Sequence, residues 1–226
     1  MLRQLKNLAR RVKHKRLHNV DVDRDYRVLG TEYGGWPLLF DTVSGSVIFS
    51  FGVGEDVSFD LAAIEEYDCI VHGFDPTPRS IRWVEKQNLP EEFTFHPIGI
   101  AAEDGSMEFH PPIRDDHVSY SALPKDTVDA GDAVKAEVMR LDTIRTFLGG
   151  LDPDIIKMDI EGFEYAVVRD MCENSVCPRQ LLIEFHHNMY GHSTDETEFA
   201  VSKLKQLGYR IFYISSTGHE YGFCLD

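Results

Sequence analysis

The segment Ser46–Asp56, with the sequence Ser-Val-Ile-Phe-Ser-Phe-Gly-Val-Gly-Glu-Asp, constrains the fold more than any other part of the chain. It begins with apolar and β-branched residues, as does a strand that is buried on both faces. It then breaks into Gly52-Val53-Gly54, and an amphipathic helical pattern starts near Val57. A strand, a tight glycine turn and a helix start together form a nucleotide-type site at the carboxyl edge of a parallel sheet. The segment therefore predicts an α/β fold with a ligand site at the end of its first strand.

The patterns that follow alternate between strand and helix. The predicted strands are 47–51, 69–74, 93–98, 106–110, 138–141, 155–158, 181–185, 209–215 and 221–225, and the predicted helices lie near 56–67, 78–87, 143–148, 167–168 and 199–207. This alternation predicts a mostly parallel sheet with helices on both faces and right-handed crossovers. Hairpin spacing separates the last two strands, so the sheet should end in an antiparallel pair. Residues 21–42 show an irregular, turn-rich pattern, and 106–110 should be a short edge strand.

Composition and charge narrow the class of protein. The chain has 226 residues, of which 42% are hydrophobic and 27% charged, so we expect one globular domain over residues 21–226. The formal net charge of -15 argues against a nucleic-acid partner, because phosphate contacts need Lys and Arg. No run approaches the roughly 18 apolar residues of a membrane span, and the N-terminus lacks the apolar core of a secretory signal. Without a CxxC pair, the cysteines favour free thiols in a reducing cytoplasm.

Residues 1–20 differ in charge from the rest of the chain, because they carry seven Lys and Arg residues and no acid. Apolar residues in this stretch fall near helical spacing, which predicts a basic amphipathic arm. One interpretation is an arm that docks on an anionic membrane surface or on an acidic partner. The favoured interpretation is a solvated helix on the edge of the domain. A mitochondrial presequence is a third, disfavoured because the stretch contains no Ser.

Glycine, acidic and histidine residues stand where the predicted strands end. In chain order they are Gly52 and Gly54, Asp75, Asp159 and Glu161, and Glu184 and His186. The carboxyl ends of the strands in an open α/β sheet share one edge, and ligands bind there. We therefore expect these residues to converge on one crevice.

The acids around the glycine turn indicate the kind of ligand. Asp75 lies at the end of the second strand, where an acid accepts hydrogen bonds from ribose hydroxyls. The turn lacks the third glycine of a dinucleotide motif, and Glu55 and Asp56 would repel a pyrophosphate. A ligand with a cationic amino-acid end and an adenosine end fits better. S-adenosylmethionine (SAM) is such a ligand.

Four blocks along the chain carry a family pattern. They are Phe-Ser-Phe-Gly-Val-Gly-Glu-Asp at 49–56, Phe-Asp-Pro-Thr-Pro at 74–78, Lys-Met-Asp-Ile-Glu-Gly-Phe-Glu at 157–164 and Ile-Glu-Phe-His at 183–186. Together they resemble the FkbM-type methyltransferases, from about Trp36 to the C-terminus. The resemblance implies a Rossmann-like class I methyltransferase fold with a seven-stranded sheet in the order 3-2-1-4-5-7-6. It also implies SAM as the cofactor and methyl transfer to an oxygen, often of a sugar or polyketide hydroxyl.

One position departs from the pattern that the resemblance implies. Ser50 stands where class I methyltransferases usually carry an acid, two residues before the first glycine. Glu55 or Asp56 would then contact the amino group of the methionine moiety.

The sequence and the resemblance together assign candidate roles. The predicted cofactor-binding residues are Phe51, Gly52, Gly54, Glu55, Asp56, Asp75, Pro76, Gly99 and Ile100, and the predicted catalytic residues are Asp159, Glu161, Glu184 and His186. Asp159 would orient the acceptor hydroxyl or the ammonium group of the cofactor, and His186 or Glu184 would act as the base.

Several alternatives stay open at this point. No metal is predicted, although Asp159, Glu184, His186 and His187 form a carboxylate–imidazole set of the kind that binds divalent ions. Residues 111–132 form a long polar connection, which predicts a lid or substrate loop that selects a small-molecule or glycan acceptor. The competing functions are a dinucleotide-dependent oxidoreductase and a non-catalytic nucleoside-binding domain.

Overall fold

A computed structural model describes residues 17–109, 134–174 and 176–225 of the chain. Residues 1–16 of the predicted basic arm and the predicted lid at 111–132 lie outside the described residues. None of the described helices is both long and apolar enough to span a bilayer.

The described strands and helices follow the predicted alternation. The strands are β1 (Tyr26–Leu29), β2 (Trp36–Leu39), β3 (Val47–Phe51), β4 (Ile70–Phe74), β5 (Phe93–His96), β6 (Gly99–Ile100), β7 (Gly105–Phe109), β8 (Val134–Met139), β9 (Ile155–Met158), β10 (Gln180–Glu184), β11 (Arg210–Ile214) and β12 (Glu220–Cys224). The helices are α1 (Ser58–Tyr67), α2 (Pro78–Val84), α3 (Leu141–Phe147), α4 (Glu164–Glu173) and α5 (Thr194–Gln206).

A seven-stranded sheet forms the centre of the molecule, in the order β11-β12-β10-β9-β3-β4-β5. Strands β5, β4, β3, β9 and β10 run parallel to their neighbours. Strand β12 runs antiparallel to both β10 and β11, which is the expected C-terminal hairpin. Counted along the chain within this sheet, the order is 3-2-1-4-5-7-6, the one that the resemblance implies.

The hydrophobic core lies on both faces of this sheet. Ile48 of β3 belongs to one buried cluster, with residues of α1, α2 and the β1–β2 pair. Its neighbour Phe49 belongs to a second cluster, with residues of α3, α4 and α5. Because successive side chains of a strand point to opposite faces, β3 has helices packed on both sides. This confirms the prediction of a strand buried on both faces.

One prediction about the minor strands was wrong. Residues 21–42 are not wholly irregular, since β1 and β2 pair antiparallel within them. The pattern hid this pair because β1 is mostly exposed and β2 contains Pro37, a residue that usually argues against a strand. Strand β7 is a short edge strand, as predicted, and it lies at the edge of a three-stranded sheet, β6-β8-β7. Strand β5 ends at His96, two residues earlier than its apolar pattern suggested, because Pro97 donates no ladder hydrogen bond.

All four cysteines are free thiols in the structure, as predicted. Cys69 and Cys224 are buried, and burial raises the pKa of the Cys69 thiol to about 12. A thiol with such a pKa is a poor nucleophile near neutral pH, so Cys69 is a core residue.

A histidine pair on β4 and β5 makes the stability of the fold depend on pH. His72 Nδ1 and His96 Nε2 lie 3.0 Å apart, and the His96 ring stacks on Phe74. Burial, and to a smaller extent His72, lowers the pKa of His96 from 6.5 to about 4. As the pH falls, the unfolded chain takes up the proton first. The stability that His96 contributes is therefore complete above pH 6.5 and is lost as the pH falls from 6.5 toward 4.

The variant His96→Gln isolates this effect from other titrating groups. Between pH 7 and pH 5, the free energy of unfolding should fall by about 1 kcal/mol more in wild type than in the variant. This figure allows for the partial exposure of the His96 ring. Urea unfolding of both proteins at the two pH values measures the difference. An identical loss in the two proteins would contradict the assignment to His96.

Candidate active site

A cavity of about 420 Å³ opens at the carboxyl edge of the central sheet. Every residue predicted to bind the cofactor or to act in catalysis lines it: Phe51, Gly52, Gly54, Glu55, Asp56, Asp75, Pro76, Gly99, Ile100, Asp159, Glu161, Glu184 and His186. Its volume falls in the range of pockets that hold small ligands, roughly 300–1,000 Å³. The structure therefore brings the predicted residues together, whereas their individual roles stay predictions.

The glycine turn is built to pack against the end of β9. Gly52 has a φ of +79°, and a Cβ added to it would lie 1.8 Å from the carbonyl oxygen of Asp159. Gly54 has a φ of +59°, but nothing lies within 4 Å of its added Cβ. Because Gly52 has no side chain, the glycine turn can pack against the backbone of Asp159. Because Gly54 has none, the cavity wall stays open to a ligand at that point.

Asp75 ties the end of β4 to the glycine turn. One carboxylate oxygen, Oδ2, accepts a hydrogen bond of 2.9 Å from the backbone N–H of Gly54. The other, Oδ1, accepts from the backbone N–H and the hydroxyl of Thr77, which begins the turn into α2. Since a carboxylate oxygen has two acceptor positions, Oδ2 keeps one for a ligand hydroxyl.

The two acids after the glycine turn have protein partners. Glu55 pairs with the Arg79 guanidinium at 2.9 Å. Asp56 accepts hydrogen bonds from the Ser58 N–H and the Thr31 hydroxyl. Burial alone would raise the pKa of Asp56, but these bonds outweigh it and lower the pKa. Both acids therefore have protein groups as their first partners.

Lys157, the first residue of the third sequence block, supports the glycine turn from β9. Its side chain is buried, and its ammonium group donates to the carbonyl oxygens of Gly52 at 2.6 Å and Phe51 at 3.3 Å. It also lies 5.5 Å from the ring centre of Trp36 on β2. Sequence reasoning gave Lys157 no role, although a lysine inside the apolar run of β9 was a signal that a buried partner exists.

Removal of this ammonium group should destabilise the fold. We expect Lys157→Met to lower the free energy of unfolding by about 1–3 kcal/mol, because the Gly52 carbonyl loses its buried donor. The control is Lys205→Met, which removes a surface ion pair with Asp21 and should cost no more than about 1 kcal/mol. Urea denaturation measures both. Equal losses in the two variants would show that the Lys157 bonds contribute little.

A buried acid of α1, Asp60, lies beside Lys157. Asp60 on α1 lines the cavity and is buried, and its Oδ1 atom has no hydrogen-bond partner among the described residues. Burial raises the pKa of Asp60 to about 6, while the nearby Lys157 opposes the rise.

The histidine after β10 is held by a carboxylate from the start of α4. His186 Nδ1 forms a short hydrogen bond with Glu164 Oε1, and Glu164 is completely buried at the start of α4. The same oxygen accepts from the backbone N–H of Gly162 at 3.2 Å. Glu164 lies in the first turn of α4 and also fixes the imidazole.

The other ring nitrogen of His186 points toward two more acids. Nε2 lies 3.7 Å from Asp159 Oδ1 and 3.6 Å from Glu161 Oε2. Glu161 adopts a φ of +54° and also accepts a hydrogen bond from the Tyr190 hydroxyl. Glu184 completes the group from the end of β10. The predicted catalytic residues thus form one acidic cluster around an imidazole.

Crowding shifts the pKa values in this cluster. Burial would lower the pKa of His186, but the hydrogen bond and charge of Glu164, then the charges of Asp159 and Glu184, raise it to about 10. Burial, followed by the charge of Asp159, raises the pKa of Glu184 to about 9. The cluster therefore holds protons at neutral pH until another cation approaches it.

Three further ring side chains, those of Trp36, Trp83 and His187, lie in different places. Trp36 lines the cavity, whereas Trp83 packs at the edge of the core. His187 is buried but does not belong to the cavity wall, because its ring stacks on His219 with 4.3 Å between ring centres.

The sequence matches the model of the methyltransferase FkbM domain over residues 49–211, which is more than half of the chain. The chain belongs to the FkbM methyltransferase family. A human relative, the probable methyltransferase-like protein 24, is 23% identical over 176 residues. That alignment covers 74% of this chain and 42% of the relative, so the chain spans less than half of the relative's length.

A solved structure of the same family has a similar fold. The crystal structure of an FkbM methyltransferase from Methylobacillus flagellatus KT superposes with a TM-score of 0.50 at 17% identity, over 82% of this chain and 44% of that chain. A fibrillarin pre-rRNA processing protein from Methanococcus jannaschii gives a TM-score of 0.49 at 11% identity, over 81% of this chain and 67% of that chain. The likeness to the FkbM structure, together with the strand order of the central sheet, shows that this chain has the class I methyltransferase fold.

Proposed function

We propose that this FkbM domain is a SAM-dependent O-methyltransferase that acts on a hydroxyl of a sugar or of another small molecule. The observation that carries the proposal is the excess of acids on the cavity wall. The described wall residues include nine acids, namely Glu32, Glu55, Asp56, Asp60, Asp75, Asp159, Glu161, Glu184 and Glu220, but only two permanent cations, Arg79 and Lys157. Such a wall favours a ligand that carries positive charge, as the sulfonium and ammonium groups of SAM do.

The same wall is unsuited to a dinucleotide. Of its two permanent cations, Arg79 pairs with Glu55, and Lys157 donates to the carbonyls of Phe51 and Gly52. Within the described wall, no other Lys or Arg is present to meet a pyrophosphate. The acids would repel its two charges.

The chain's own residues fit the parts of SAM. Gly54 leaves the wall open for close approach of a ligand, and Asp75 Oδ2 keeps an acceptor position for a ribose hydroxyl. Phe51, Gly99 and Ile100 add apolar surface and backbone to the wall. When bound, SAM supplies an electrophilic methyl group to the acceptor.

The acidic cluster would bind and activate the acceptor. Asp159 is the partly exposed member, with a third of its side chain accessible, so it is placed to accept a hydrogen bond from an acceptor hydroxyl. A positive charge beside Glu184 and His186 favours the loss of their protons, which makes them able to accept the hydroxyl proton. Glu164 then holds the imidazole in a fixed orientation while Nε2 faces the cavity. Orientation of this kind supplies much of the rate of a displacement reaction.

Transfer of a labelled methyl group tests the proposal. Purified protein, labelled SAM and fractionated cell extracts are incubated, and the labelled product is then treated with mild alkali. We expect label in a product that survives alkali, because a methyl ether is stable where a carboxyl methyl ester is hydrolysed. Label that is released as methanol, or that resides on nitrogen, would contradict O-methylation of a hydroxyl.

A further inference from the structure

The side chains of Asp159, Glu184 and His186 converge as donors to a single ion would. A carboxylate oxygen of each acid and a ring nitrogen of His186 lie within 4.8 Å of one another. Donors that share one divalent ion at about 2.0–2.2 Å lie up to roughly 4.4 Å apart. The observed spacing therefore needs only small side-chain movements. The three residues stand at or just after the ends of the adjacent parallel strands β9 and β10.

The imidazole is prepared for a ligand on its cavity side. The His186 side chain is only 5% exposed, yet its Nε2 atom has no hydrogen-bond partner among the described residues, since the nearest acidic oxygens are 3.6 and 3.7 Å away. Its Nδ1 atom is held by Glu164, which is fully buried. A histidine that binds a metal usually donates its other N–H to a carboxylate in this way, and that bond fixes the ring and makes the ligand more basic.

No permanent cation of the described wall serves this cluster. The Lys157 ammonium donates to the carbonyls of the glycine turn, and Arg79 pairs with Glu55. Two carboxylates and one imidazole together would neutralise a divalent charge. Carboxylates suit Mg²⁺ and Mn²⁺, whereas imidazole suits the transition metals, so a first-row ion such as Mn²⁺ accepts the whole set.

We infer that Asp159, Glu184 and His186 bind one divalent first-row cation, with Glu164 as the residue that positions the imidazole. Asp159 lies at the open side of the group, so the remaining coordination positions of the ion face the cavity. With the ion bound, Glu184 and His186 would serve as its ligands in place of acting as bases, and the ion itself would lower the pKa of a bound hydroxyl and orient its oxygen. The role of the ion in catalysis rests on the proposed methyl transfer, whereas its binding does not.

Binding of Mn²⁺ to the full chain, after treatment with a chelator, tests the inference. The free ion gives a six-line electron paramagnetic resonance signal that weakens on binding. We expect wild type to bind one Mn²⁺ per chain. The affinity for Mn²⁺ should be at least about tenfold lower in His186→Ala and in the isosteric Glu184→Gln. In Glu164→Gln it should be about 10- to 100-fold lower. His187→Ala, which alters a buried histidine outside the cavity wall, should bind Mn²⁺ as wild type does.

Two readouts make the result decisive. Electron spin echo spectra of the bound ion should show coupling to an imidazole nitrogen, and this coupling should vanish in His186→Ala. Failure of wild type to bind Mn²⁺ at millimolar concentration, or binding that neither His186→Ala nor Glu184→Gln weakens, would overturn the site. The same samples are titrated with S-adenosylhomocysteine. If S-adenosylhomocysteine binds and Mn²⁺ does not, the cation site alone is overturned. If Mn²⁺ binds and S-adenosylhomocysteine does not, the proposed function alone is overturned.

Discussion

Replacement of His186 by alanine is expected to slow methyl transfer by about 10²- to 10⁴-fold. The reason is that the imidazole is the centre of the acidic cluster, with Glu164 on one nitrogen and Asp159 and Glu161 near the other. Binding of S-adenosylhomocysteine should persist, because the glycine turn and Asp75 are unchanged. Single-turnover transfer of labelled methyl to the acceptor fraction measures the rate, and calorimetry measures the binding.

The control for this variant is His187→Ala. His187 is the adjacent residue and is similarly buried, but it stacks on His219 and does not line the cavity. We expect it to keep the rate of the folded protein. Normal transfer in both His186→Ala and Asp159→Ala would show that the cluster is not the acceptor site. Equal loss in His186→Ala and His187→Ala would show that the effect comes from structural disturbance.

Replacement of Gly52 by alanine should be the most damaging single change in the glycine turn. The added methyl group would overlap the carbonyl oxygen of Asp159, 1.8 Å away, and the φ of +79° is itself unfavourable for alanine. Together these terms predict a loss of about 2–5 kcal/mol in the free energy of unfolding. Urea denaturation measures it.

Two other glycines separate the effect of the close contact from the effect of the positive φ. Gly149 has a similar φ of +76° but is exposed and has open space around its added Cβ, so Gly149→Ala should cost only about 1–2 kcal/mol. Gly54→Ala should also cost little stability, since nothing lies within 4 Å, but its methyl group would enter the cavity and weaken ligand binding. A stability loss in Gly52→Ala no larger than in Gly149→Ala would contradict the close packing of the two loops.

The location of the site followed from the sequence because it depends on topology. Once the alternation of strands and helices predicts a parallel sheet, the residues after each strand must meet at one edge. Asp75, Asp159 and His186 lie far apart in the chain, yet all of them line the same cavity. Core strands such as β3 were equally predictable, because burial on both faces leaves a continuous apolar run.

What the sequence did not predict depends on how side chains pair. No sequence pattern gives Glu164 a partner, and only the packing of α4 against the end of β10 brings it to His186. The pairing of Glu55 with Arg79 likewise follows from the position of α2 beside the glycine turn. Neither contact has a fixed spacing in the chain, so neither leaves a sequence pattern.

Calorimetric titration with S-adenosylhomocysteine and, separately, with NAD tests the central claim most directly. The claim is that the acidic cavity at the end of β3 accepts an adenosine ligand with an amino-acid end and not one with a pyrophosphate. We predict that S-adenosylhomocysteine binds with one site per chain and that NAD releases no measurable heat of binding at the same concentrations. Binding of NAD, or the absence of binding by S-adenosylhomocysteine, would contradict the claim.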